Sequence, residues 1–152
     1  MSATIEERYA AVIAYKTKAD AESKARKAER DLSYFELEMR LAEEYGPLGD
    51  RFLMFSVPEG HVAVTRVDAI HVKQYDDARA KAAKEGKALT TGQMLAFAQP
   101  GIIHPDAETF RKWVLGTGPS PKELGADGIV AQAVECVQRL HRMYQEDMSL
   151  KT

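Results

Sequence analysis

The sequence predicts a mainly α fold with a small β-hairpin, in which a long N-terminal helix is followed by a compact helical domain. All 10 glycines and all 6 prolines lie at or beyond Gly46, so no helix breaker precedes that point. Residues 51–67 hold two short runs rich in β-branched and aromatic residues, which is typical of a hairpin. Beyond them, apolar residues return to helical spacing as far as Met148.

Composition limits the class of protein. The chain has 152 residues, 45% of them hydrophobic and 29% charged, which fits a folded domain and excludes disordered and fibrous classes. A net charge of −2 argues against a dedicated nucleic-acid binder. A single cysteine, Cys136, forms neither an internal disulfide nor a cysteine zinc site, which favours a reducing compartment. With no signal peptide and no membrane-length apolar run, we expect a cytoplasmic protein that binds no membrane.

Residues 1–45 are predicted to form one helix. They are rich in Ala, Glu, Lys, Arg and Leu, which lose little side-chain freedom in a helix. Thr4 and Glu7 have the spacing of a capping box, and Gly46-Pro47 provides a stop. The helix is therefore expected to start near Ser2 or Thr4 and to end at Tyr45.

The apolar residues of this helix fall into two frames. One alternates spacings of four and three, as in a coiled-coil heptad, and comprises Ala21, Ala25, Ala28, Leu32, Phe35, Met39 and Ala42. The other frame contains Ile5, Tyr9 and Val12. A helix of this length spans about 60 Å, more than a globule of the remaining residues can cover. Part of the helix is thus expected to project. Leu32, Phe35 and Met39 either dock on the domain or bind a partner; we assign them as partner-binding residues.

The domain at 48–148 is predicted to contain the hairpin and about four helices. The strands lie at 51–57 and 61–67, joined by Pro58-Glu59-Gly60, with Leu53, Phe55 and Val57 on one face. Asp68 caps a helix that runs to about Glu85, and a short apolar helix starts at Thr90 or Thr91. Gln99 to Pro105 forms an extended apolar connector.

The C-terminal part of the domain is predicted to be helical as well. Asp106 caps a helix that places Phe110 and Trp113 in the core. After a loop at 116–120, Ser120-Pro121-Lys122-Glu123 has the pattern of a helix start, with interruptions at Gly125 and Gly128 and a new start at Asp127. The last helix is expected to bury one face, made of Val130, Ala133, Val134, Val137, Leu140, Tyr144 and Met148.

No catalytic, cofactor-binding or metal site is predicted. The four histidines are His61, His71, His104 and His141, and none shares a predicted helix with an acidic or histidine residue at i, i+4, as two metal ligands on one helix face require. The segment His104-Pro105-Asp106 is more typical of a helix entry than of a catalytic site. Cys136 has no histidine or basic neighbour in sequence, so we expect an inert, core-facing thiol. The protein is expected to be no enzyme and to bind no small-molecule substrate.

The order of elements and motifs in the domain resembles that of a known protein family. The domain starts with a polar helix end, an apolar hairpin and a helix that begins at Asp68. A connector follows that contains Pro100, Ile102, Ile103, His104, Pro105 and Asp106, and after it come the aromatic Phe110 and the Ser120-Pro121 linker. This resembles the tail assembly chaperones of tailed bacteriophages, over about two-thirds of the chain. Gly101 stands where a cysteine is common in that family.

The resemblance implies a non-enzymatic protein of the infected host cytoplasm. Such chaperones bind the long helical tape-measure protein and keep it soluble until the tail tube assembles around it. The alternative is a structural or adaptor protein of a virion or another assembly, self-associating through the N-terminal helix. Either way the expected partner is a protein, a tail protein or a second copy, and not nucleic acid.

Overall fold

The first helix is confirmed. In the computed structural model, which describes residues 3–115 and 128–151, helix α1 runs from Ile5 to Tyr45. The Thr4 hydroxyl accepts from the Glu7 backbone N–H at 3.1 Å, and the Glu7 carboxylate accepts from the Thr4 N–H at 3.4 Å. This is the predicted capping box. The helix stops before Gly46, whose φ of 106° is incompatible with a right-handed helix.

The sheet has three strands where the sequence predicts two. Strands β1 (Phe52–Val57) and β2 (Gly60–Thr65) form the predicted antiparallel hairpin, with Val57 opposite Gly60 across a two-residue turn. Strand β3 (Ile102–His104) adds antiparallel to β2, after a 3-10 turn at Gln99–Gly101. The predicted connector is thus part of the sheet. Extended backbone before Pro105 can pair with the open edge of β2, a long-range contact that no local pattern reveals.

Beyond the hairpin, the described residues form four further helices. They are α2 (Ala69–Lys84), α3 (Thr91–Ala98), α4 (Ala107–Leu115) and α5 (Ile129–Lys151). The predicted N-caps are confirmed: the Asp68 carboxylate accepts from the Ile70 N–H at 3.0 Å, and that of Asp106 from the Thr109 N–H at 3.2 Å. The predicted loop at 116–120, the helix start at Ser120, the interruption at Gly125 and the start at Asp127 lie outside the described residues.

The chain forms two compact units, residues 1–40 and 41–152. In the second unit α5 packs on β1, β2 and α3. The core there contains Val62, Phe110, Val130 and Val137, each no more than 1% exposed. Trp113 is half-buried at the edge of this core, and its ring lies against Gly60. Among the described residues, no helix has the length and apolar character needed to cross a membrane.

The burial of β1 and α5 only partly follows the predicted faces. Val57 is buried as expected, but Leu53 and Phe55 are half-buried, and Phe52 on the opposite face is fully buried. The second face of the hairpin is therefore buried in part. On α5 the predicted face is buried through Leu140, whereas Tyr144 and Met148 are exposed. The Arg66 guanidinium lies 3.6 Å from the centre of the Tyr144 ring, a cation–π contact that favours this position at the surface.

Candidate functional site

The most distinctive surface of the chain is an apolar stripe on α1. Leu32, Phe35 and Met39 are 60%, 56% and 66% exposed, although large apolar side chains usually avoid water. Their spacing of three and four residues places them on one side of the helix. We call these three residues the exposed stripe. Each of them keeps more than half of its surface in contact with solvent.

The buried side of α1 lies elsewhere around the helix. Leu37 and Leu41 are only 8% and 3% exposed. Because each residue advances about 100°, Leu37 lies about 140° around the helix from Leu32. The heptad spacing thus identifies an apolar side of α1 but not the buried one. The signal that would have separated the two sides is the pair of leucines Leu37 and Leu41, which lies outside that frame.

Acidic side chains border the exposed stripe. Glu29 and Glu36 follow one of its edges, and Asp31 and Glu38 follow the other, as their positions around the helix require. Glu29, Asp31 and Glu36 are exposed, and Glu38 is half-buried. We call these four residues the acidic rim. The rim is not evident from the sequence, because the acids are separated along the chain and converge only around the helix axis.

A second apolar patch lies near the start of α1. Ile5, Tyr9 and Val12, the residues of the second predicted frame, are 79%, 68% and 51% exposed. Ile13 beside them is 48% exposed. This patch is separate from the exposed stripe, since the intervening side chains from 14 to 31 are small or charged apart from Tyr15. The first unit therefore exposes apolar surface at two places.

The histidines occupy structural positions. The His71 Nε2 lies 2.9 Å from the Phe97 carbonyl oxygen, and its ring stacks on that of Phe97. The His61 Nδ1 lies 2.7 Å from the Ser56 Oγ, a cross-strand pair on the hairpin. A serine beside a histidine is also the first element of a nucleophilic site, which sequence reasoning missed. Here the pair joins directly opposed residues of β1 and β2, where such contacts stabilise hairpins.

The remaining polar candidates also lie apart. His104 is in β3, His141 is half-buried on α5, and the described residues contain no cluster of three or more potential metal ligands. Burial, with a smaller effect of the Glu135 carboxylate, raises the pKa of the Cys136 thiol to about 11, while Arg139 acts in the opposite direction. A thiol that stays protonated at neutral pH is a poor nucleophile.

One groove in the second unit is mainly apolar. It has a volume of about 220 Å³ and is lined by residues of α2, of α3 and of the segment between them, among them His71, Tyr75, Leu89 and Phe97. The Tyr75 and Phe97 rings stack there at 4.0 Å, and burial raises the pKa of the Tyr75 hydroxyl. The volume is below the usual range of small-molecule sites.

Comparison of the chain with protein-family models, with curated proteins and with solved structures gives no match.

Proposed function

We propose that the protein is a non-enzymatic assembly chaperone that binds a helical client protein through the exposed stripe of α1. The observation that supports this function is the solvent exposure of Leu32, Phe35 and Met39 on a side of the helix different from that of the buried Leu37 and Leu41. Exposure of contiguous apolar side chains to water is energetically unfavourable, and such patches are typical of surfaces that another protein covers.

The size of the stripe favours a client that is bound by several copies. Each of the three side chains has somewhat more than half of its surface still to bury, which is worth about 3–5 kcal/mol in total. Association costs about 4–15 kcal/mol in lost freedom. A single stripe therefore binds weakly. A long client with repeated apolar segments, occupied by neighbouring copies, provides the stability that one contact lacks.

The resemblance to tail assembly chaperones gives this client a candidate identity. In that family the client is the tape-measure protein, a long helical chain in the cytoplasm of the infected host. The matching segment from Pro100 to Asp106 forms the 3-10 turn, β3 and the start of α4 in this chain. The motif supports a related framework, whereas the client contact is assigned to α1.

A structural or adaptor role remains the second candidate. It is favoured by the separate apolar patch at Ile5, Tyr9 and Val12, which gives α1 a further surface for pairing with another copy. The two roles differ in what α1 binds. A chaperone is expected to stay small until a client is present, and an adaptor is expected to form a closed oligomer by itself.

The experiment is a solution mass measurement on the intact chain, alone and after co-expression with long helical proteins encoded beside its gene. The chaperone role predicts a small free species that joins one client in several copies and keeps it soluble. A closed oligomer of fixed size, formed with or without these clients, would contradict the chaperone role and favour the adaptor.

A further inference from the structure

We propose that the exposed stripe selects a client helix whose apolar side is bordered by lysine and arginine, and that it disfavours pairing with a second copy of α1. This inference rests on the proposed function, since it takes the stripe as the client site. It adds the charge of the partner, which is determined by the acidic rim.

The rim occupies the positions that determine pairing between helices. If Leu32 and Met39 are the a positions of a heptad and Phe35 is the d position, Glu29 and Glu36 are e positions. Asp31 and Glu38 are then g positions. Side chains at e and g border the apolar contact and meet the corresponding positions of the partner helix. Basic residues lie nearby, with Lys24 at the g position one heptad before Asp31, Arg30 at an f position and Arg40 at a b position, but the four e and g positions beside the stripe itself are all acidic.

A second copy of α1 matches this border poorly in either orientation. In parallel pairing, Asp31 of one helix meets Glu36 of the other. In antiparallel pairing centred on the stripe, Glu29 meets Glu36 and Asp31 meets Glu38. Both arrangements oppose carboxylates next to an apolar contact, which is the usual way in which an unwanted pairing is disfavoured.

A basic border converts the same positions into attractive pairs. Lysine or arginine at the e and g positions of a client helix faces carboxylates along both edges of the stripe. The ammonium and guanidinium stems also cover apolar surface while their charges stay in water. Specificity then comes from attraction to the right client and from repulsion of the wrong one.

The probes are two fluorescent peptides about four heptads long with leucine at a and d. One has lysine at every e and g position, and the other has glutamate there. Like charges at these positions also keep each peptide from pairing with itself. We expect the intact protein to bind the lysine peptide at least tenfold more tightly at about 50 mM salt, measured by fluorescence anisotropy, with the preference shrinking at about 0.5 M.

A charge-reversed variant distinguishes the effect of the acidic rim on peptide binding from that of the protein's net charge. The variant E29K/D31K/E36K/E38K is expected to prefer the glutamate peptide. The matched control D77K/E85K/E146K/D147K changes net charge by the same amount at exposed sites of the second unit, and it is expected to keep the preference for the lysine peptide. Circular dichroism of both variants establishes that the helices are intact.

Three results would overturn the inference: equal binding of the two peptides, no binding of either, or an unchanged preference in the rim variant. Its failure is distinct from failure of the proposed function. A chain that still joins a client through the stripe, but does not discriminate between the peptides, would retain the function and lose the charge selection. A chain that joins no client would lose the function itself.

Discussion

Replacement of Gly101 by alanine is the sharpest test of the packing between the 3-10 turn, β2 and α5. A Cβ at this position would lie 2.8 Å from the Thr65 carbonyl oxygen, 3.1 Å from the Val67 Cγ1 and 3.2 Å from the Val137 Cγ2. The first contact is with the backbone of the last residue of β2, so it cannot be relieved by a side-chain rotation. The turn has to move away from the sheet.

The expected cost follows from that geometry. Ordinary van der Waals contact starts near 3.4 Å, so the backbone atoms must separate by several tenths of an ångström. Overpacking of this kind costs about 1–3 kcal/mol. Alanine also restricts the unfolded chain, which offsets about 0.4–1 kcal/mol. We expect a net loss of about 1–2 kcal/mol, which lowers the Tm by about 2–8 °C for a chain of this size.

Gly92 provides the matched control. It lies in α3, and a Cβ there would meet only the Thr90 Oγ1, at an ordinary distance of 3.8 Å. Gly92→Ala is therefore expected to stabilise the protein by up to about 1 kcal/mol. Urea unfolding followed by Trp113 fluorescence measures both variants. Equal stability of Gly101→Ala and the wild type would refute the close approach of the turn to β2.

Two further predictions concern the thiol and the first helix. Cys136 in the native protein should react slowly with a disulfide reagent at pH 8 and faster towards pH 11, since burial raises its pKa to about 11. The thiol ionises at lower pH in the unfolded chain than in the folded protein, so the free energy of unfolding falls as the pH rises towards 11. Rapid labelling of the native protein at pH 8 would contradict the raised pKa. Deletion of residues 1–30 should leave the Trp113 emission and unfolding midpoint unchanged while altering association. If the truncated protein is unfolded although the full-length protein is a monomer, this prediction is wrong.

Local signals explain how much of the fold the sequence predicts. The bounds of α1, α2 and α4 depend on caps and stops within a few residues, such as Thr4 with Glu7 and Asp68 with Ile70. Strand β3 depends on pairing with β2, about forty residues earlier in the chain, and no local pattern specifies it. The same long-range packing favours a glycine at 101.

The candidate site was predicted in part. The heptad spacing identified Leu32, Phe35 and Met39 as a set, because periodicity reports which side chains share a side of a helix. It does not report which side chains of the helix lose contact with solvent. Leu37 and Leu41 are buried instead, and the exposure of the stripe becomes evident only from the folded chain. The acidic rim was missed because its four acids are separated in sequence and flank the stripe only around the helix axis.

The most direct test of the central claim is whether the full-length protein still forms the proposed client complex when the stripe is removed. The variant L32A/F35A/M39A keeps helix propensity and removes the apolar side chains. The control I70A/L115A/M148A removes three large apolar side chains that are exposed elsewhere. We expect the first variant to lose the client complex by analytical ultracentrifugation and the control to retain it. Retention of the complex by the first variant, with its copy number unchanged, would contradict the assignment of client binding to α1.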